Sequence, residues 1–86
     1  MEKISSLEIS FIPIQSDDFI KDVDAVLEII KKSGLDYKIG LMSTEITGDY
    51  RRLFELMKRI YEAMNDKCKF EIVAKISNIC GCWSQK

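Results

Sequence analysis

A chain of 86 residues is enough for one domain, and a domain this short hides only roughly 60 per cent of the surface its unfolded chain exposes, so its core is thin. With 47% hydrophobic and 31% charged residues the composition is that of a globular protein, and a formal net charge of -1 excludes the basic footprint that holds nucleic acid or an anionic membrane. No apolar run approaches the ~20 residues needed to span a bilayer, the start MEKISSLEIS lacks the unbroken apolar stretch of a secretory signal, and an odd count of 3 cysteines does not make a disulfide framework. The chain reads as cytoplasmic with reduced thiols, and with no membrane partner.

From Lys3 to Ile14 the apolar residues Leu7, Ile9 and Phe11 alternate with Glu8, Ser10 and Ile12, which is the period of a strand with two unlike faces, ended by Pro13. Ser16 or Asp17 then caps a helix. Asp17 and Asp18 stand in its first turn, Ile20, Val23, Leu27 and Ile30 recur along one face, and Lys31, Lys32 and Gly34 close it. Leu35 to Leu41 predicts a short strand with Tyr37, Ile39 and Leu41 on one side. Its hairpin partner runs from Met42 to Thr47, with Gly40 near the reversal.

Gly48 and Asp49 supply a break and a cap. A second amphipathic helix follows, marked by Leu53, Met57, Ile60, Tyr61 and Met64, with Glu55 placed to pair with Arg59. After the turn Asn65-Asp66-Lys67, the residues Phe70, Ile72, Ala74 and Ile76 alternate with Glu71, Val73, Lys75 and Ser77 in a last strand, and Asn78 to Lys86 form a tail.

The order β-α-β-β-α-β within one unit (1–86, core about 4–77, tail 78–86) is the ferredoxin-like plan. It is an α+β sandwich: a four-stranded antiparallel sheet, two helices on one face, and the first strand between the third and fourth. The other face is left bare. On it fall Glu8, Ser10, Ile12, Ser43, Glu45, Thr47, Val73 and Lys75, so carboxylates, hydroxyls and an ammonium converge near the sheet centre. Two readings stand: a solvated face whose ion pairs are worth ~0–1 kcal/mol, or a face closed by a second sheet around a small polar ligand.

The words Glu8-Ile9-Ser10-Phe11-Ile12-Pro13-Ile14, Ser33-Gly34-Leu35-x-Tyr37-x-x-Gly40, Met42-x-Thr44 with Gly48, and Lys75-Ile76 resemble the YkoF-like thiamine-binding protein family in spacing and order. The resemblance implies non-catalytic binding of thiamine or its hydroxymethylpyrimidine moiety in a homo-oligomer, a dimer or tetramer joined through sheet faces, with no cofactor beyond that ligand. It also implies roles for this chain's residues. Glu8 or Glu45 would accept from the pyrimidine amino group, Ser10, Ser43 and Thr44 would serve the ring nitrogens, and Ile12, Met42 or Tyr37 would cover the ring. Thr44 keeps a second reading, as a core hydroxyl on the helix side.

Other classes fare worse. Acylphosphatase-like phosphate chemistry wants an arginine- and glycine-bearing loop after the first strand, whereas Pro13-Ile14-Gln15-Ser16-Asp17-Asp18 holds carboxylates that repel phosphate. Without histidine no general-base motif is visible. Cys68, Cys80 and Cys82 fall short of a tetrahedral metal set. Trp83 is a candidate to dock on a neighbouring subunit. The surviving alternative to ligand binding is an oligomeric interaction module with no small molecule.

Overall fold

The computed structural model describes residues 4–79. The elements are β1 (Ile4–Gln15), α1 (Phe19–Lys32), β2 (Asp36–Ile39), β3 (Thr44–Asp49), α2 (Tyr50–Met64) and β4 (Lys69–Ser77). All strand pairs are antiparallel and the sheet order is β2-β3-β1-β4, which places β1 centrally as the connection rules require. Both helices pack on one side. The ferredoxin-like α+β architecture expected from the element order is the one observed.

Alternation along β1 divides the two faces. Ser5, Leu7 and Ile9 are buried under the helices, whereas Ser6, Glu8 and Ser10 are only half-covered on the open side. The core consists of Leu7, Ile9, Val26, Ile30, Leu35, Ile46, Leu53, Leu56, Ile60 and Met64. Each such side chain contributes about 1.5–3 kcal/mol of burial relative to an exposed one. Among the described residues no helix is long and apolar enough to cross a membrane.

Several local expectations shift. Pro13 does not end the first strand: β1 continues to Gln15, with a register irregularity against β4 between Pro13 and Gln15. Proline is tolerated there because β1 has a neighbour on only one side at that point, so no ladder bond on the free side is lost. The cap of α1 is Asp18 rather than Ser16 or Asp17, with a side chain that accepts from the Lys21 amide. Ser16 instead accepts from the Asp18 amide and donates to Asp22.

The buried face of α1 is rotated from the one expected. It centres on Val26 and Ile30, Val23 and Leu27 are half-covered, and Ile20 is 65% exposed. In α2 Leu56 is buried and Tyr61 lies at the surface, its ring edge-on to Phe70. Asp49 caps α2 as expected, accepting from the Arg51 amide, while Gly48 belongs to β3 rather than to a break. Glu55 and Arg59 are not within ion-pairing distance; the ion pairs among the described residues are Arg51–Asp49 and Lys75–Glu8.

Candidate ligand-binding site

The open face carries charged residues in cross-strand register. Lys38, Glu45, Glu8 and Lys75 form one row across β2, β3, β1 and β4. Glu8 and Glu45 are directly opposed, and Lys75 Nζ stands 3.9 Å from Glu8 Oε1. Like charges opposed in this way are unfavourable, and an ion pair as exposed as Glu8–Lys75 returns little. The adjoining row is polar: Asp36, Thr47, Ser6 and Ser77. Together Ser6, Glu8, Glu45, Thr47, Lys75 and Ser77 edge a shallow depression of about 220 Å³.

A larger cavity of about 430 Å³ opens at the end of the sheet. Its cause is a mismatch of strand lengths: β3 stops at Thr44, opposite Ile9, while β1 runs six residues further beside β4 alone. The space where β3 would have continued is the cavity. Its floor is α1, through Val23, Val26 and Leu27, and its near wall is the reversal Gly40–Ser43. That reversal is tight, with the Gly40 N–H donating to the Ser43 carbonyl at 2.8 Å. Any Cβ at Gly40 would lie 2.8 Å from the same oxygen, so glycine is required by close approach.

Four of the six residues expected at a ligand site, Ser10, Met42, Ser43 and Thr44, line this cavity. Glu8 and Glu45 do not. They belong to the open face, one pleat and about 7 Å along the strand from Ser10. Met42 and Ser43 lie in the turn rather than in a strand, because β3 begins at Thr44; Ser43 is therefore not a member of the regular open face. Ser10 Oγ reaches towards the Met42 carbonyl at 3.4 Å, tying β1 to the turn. Thr44 is 7% exposed on the helix side, consistent with a core hydroxyl, and it also lines the cavity.

Tyr37 lies opposite Ile46 on the helix side of β2 and lines neither depression. Leu35 is buried below Gly48 rather than part of β2, and Leu41 is fully exposed in the turn. Sequence reasoning missed Lys38, Ser6 and Ser77 on the open face, all of which follow by counting outward from the Glu8–Glu45 pair once the register is known. Val23 and Leu27 carried a signal, their helical spacing, but it marked them as core rather than cavity floor. Cys68 is a half-buried free thiol raised above its ordinary pKa by desolvation and by Asp22; Cys80, Cys82 and Trp83 lie outside the described residues.

The molecule is thus a ferredoxin-like sandwich with a hydroxyl-edged cavity at the sheet end and paired carboxylates beside it. The family model described as thiamine-binding protein matches residues 7–78, and the chain belongs to that family. Among solved structures, a Thermotoga maritima protein described in connection with thiamine biosynthesis or salvage is 19% identical over 91% of this chain and 86% of its own, with a TM-score of 0.79. A domain of unknown function from Bacillus cereus is 28% identical over 90% of this chain and 75% of its own, with a TM-score of 0.74. A hypothetical protein from Methanocaldococcus jannascii is 25% identical over 87% and 79%, with a TM-score of 0.76. Among curated proteins none matches.

Proposed function

We propose that the protein binds thiamine, or its hydroxymethylpyrimidine moiety, without transforming it, and that the aminopyrimidine enters the cavity at the end of the sheet. The observation that carries this reading is the adjacency of two unlike sites: a mostly apolar cavity edged by Ser10, Ser43 and Thr44, and, about 7 Å along β1, the opposed carboxylates of Glu8 and Glu45. A volume of about 430 Å³ falls within the ~300–1,000 Å³ typical of small-molecule sites.

Thiamine has the same two-part form, a flat aminopyrimidine joined through a methylene to a permanently cationic thiazolium. Met42 and Ile12 supply apolar surface for the ring, and the hydroxyls of Ser10, Ser43 and Thr44 both donate and accept towards ring nitrogens and the amino group. Glu8 and Glu45 face the cation. Their mutual repulsion, offset by the protein only through the exposed Lys75 and Lys38 on either side, is then relieved further by the ligand. Family membership supports the ligand class.

A second copy of the chain laid over the open face completes the enclosure in this reading. Two such faces bring four carboxylates together, so the cation also favours their approach. The test is thermal unfolding with and without thiamine. At a hundred times its dissociation constant a ligand specific to the native state raises stability by about 2.7 kcal/mol. An unmoved midpoint leaves the interaction-module reading in its place.

A further inference from the structure

We infer that Ser6, Thr47 and Ser77 form a specificity-determining row that receives the hydroxyethyl arm of thiamine as a free alcohol and discriminates against its phosphate esters. This rests on the thiamine reading above and extends it to the far end of the ligand. On β1 the open face presents Ser10, Glu8 and Ser6 at successive pleats, a run of about 13 Å from first to last at ~3.3 Å per residue. With the aminopyrimidine beside Ser10 and the thiazolium against Glu8 and Glu45, the arm of an extended ligand falls on the next row. There Thr47, Ser6 and Ser77 stand side by side on β3, β1 and β4, and all three line the same depression as the carboxylates.

The hydrogen bonds already made by the row suit an alcohol. Ser6 Oγ donates its proton to the Ile79 carbonyl at 2.9 Å, which leaves it an acceptor towards a ligand. Ser77 Oγ accepts from the Ile79 amide at 3.0 Å and keeps its own proton to donate. Thr47 supplies a third, half-covered hydroxyl. An alcohol both donates and accepts, so one ligand oxygen satisfies both serines. A phosphate ester is mainly an acceptor at neutral pH and meets in Ser6 another acceptor.

Charge points the same way. The depression is lined by the carboxylates of Glu8 and Glu45 and the ammonium of Lys75, so it is anionic. The neighbouring cations already have carboxylate neighbours: Lys75 stands 3.9 Å from Glu8, Lys38 lies opposite Glu45, and Arg51 is held by Asp49 at 3.1 Å. Arg52 donates to the Ser33 carbonyl and lines a separate depression beyond the sheet end, together with Asp36 and Asp49. The start of α2, whose amides could otherwise hold a phosphate, is capped by Asp49. A phosphate on the row therefore gives up water without gaining an uncommitted cation, and it faces two carboxylates.

The test is titration calorimetry of the full chain with thiamine, thiamine monophosphate, thiamine diphosphate and hydroxymethylpyrimidine at two ionic strengths. Thiamine is expected to bind at least about tenfold more tightly than the monophosphate, with the gap narrowing as salt screens the carboxylates. Thr47→Lys, at a half-covered position on the open face, is expected to shrink or reverse that ratio; Ser77→Lys on the edge strand β4 takes its place if the first variant fails to fold. Phosphate esters that match or exceed thiamine, or a ratio that a folded lysine variant leaves unchanged, overturn the inference while the thiamine reading stands. Hydroxymethylpyrimidine bound with thiamine excluded overturns it too, because the arm then has no place on the row. Binding of none of the four removes the thiamine reading itself and the inference with it.

Discussion

Glu8 on β1 and Glu45 on β3 face each other across the centre of the open sheet, flanked in the same row by Lys75 and Lys38. Each carboxylate has a lysine as its other cross-strand neighbour, but these lysines are exposed and offset the direct opposition only weakly. Glu45→Gln is therefore expected to raise the unfolding midpoint slightly, by the equivalent of roughly 0.2–1 kcal/mol at low salt. The same change should weaken thiamine binding by titration calorimetry. A loss of stability together with unchanged affinity would remove the carboxylate pair from the site.

Ser10 connects the strand to the turn, its hydroxyl 3.4 Å from the Met42 carbonyl, at the lip of the cavity. Because it is only half-covered, Ser10→Leu should leave the protein folded while filling the mouth. The expected outcome is an unchanged circular dichroism spectrum and loss of the thiamine-induced shift in midpoint. Retained binding would place the ligand elsewhere.

Gly40 is held against the Ser43 carbonyl, where no Cβ fits. Gly40→Ala is expected to reopen the turn at a cost of about 1–3 kcal/mol, the usual range for overpacking a tight site, measured by urea unfolding. Ligand affinity should fall with it, since Met42 and Ser43 are positioned by that turn. In contrast, Leu53→Ala in α2, a buried residue that does not line the cavity, should cost about 2–5 kcal/mol without altering intrinsic affinity.

Asp49 links pH to stability. Its hydrogen bonds from the Arg51 side chain and amide hold its carboxyl below the ordinary carboxylate value in the folded chain. A depressed folded value contributes stability above the unfolded pKa, and that contribution is lost as pH falls through the folded one. Asp49→Asn should therefore flatten the acid limb of the stability curve below about pH 4 and leave the slope near neutrality unchanged. An acid limb identical to that of the wild type would show that the cap does not titrate with folding.

The architecture was legible because period-two and helical patterns alternated cleanly and each helix had a capping signal. Strand order followed from handedness alone. What could not be read was length. Pro13 looks like a stop, yet the strand passes through it because its free side has no ladder to break, and that fact depends on where a different strand ends. The same displacement moved Met42 and Ser43 from strand to turn, and with them the centre of the candidate site from the sheet face to the sheet end. Helix α1 misled as well. Ile20 has the spacing of a core residue, yet it is 65% exposed because the buried stripe of the helix centres on Val26 and Ile30 instead.

The most direct test of the central claim is an amide-resolved nuclear magnetic resonance titration of the labelled protein with thiamine. The expected perturbations cluster at Ser10, Met42, Ser43 and Thr44, with a second, smaller set at Glu8 and Glu45. Perturbations confined to other parts of the chain, or none at saturating thiamine, would contradict it.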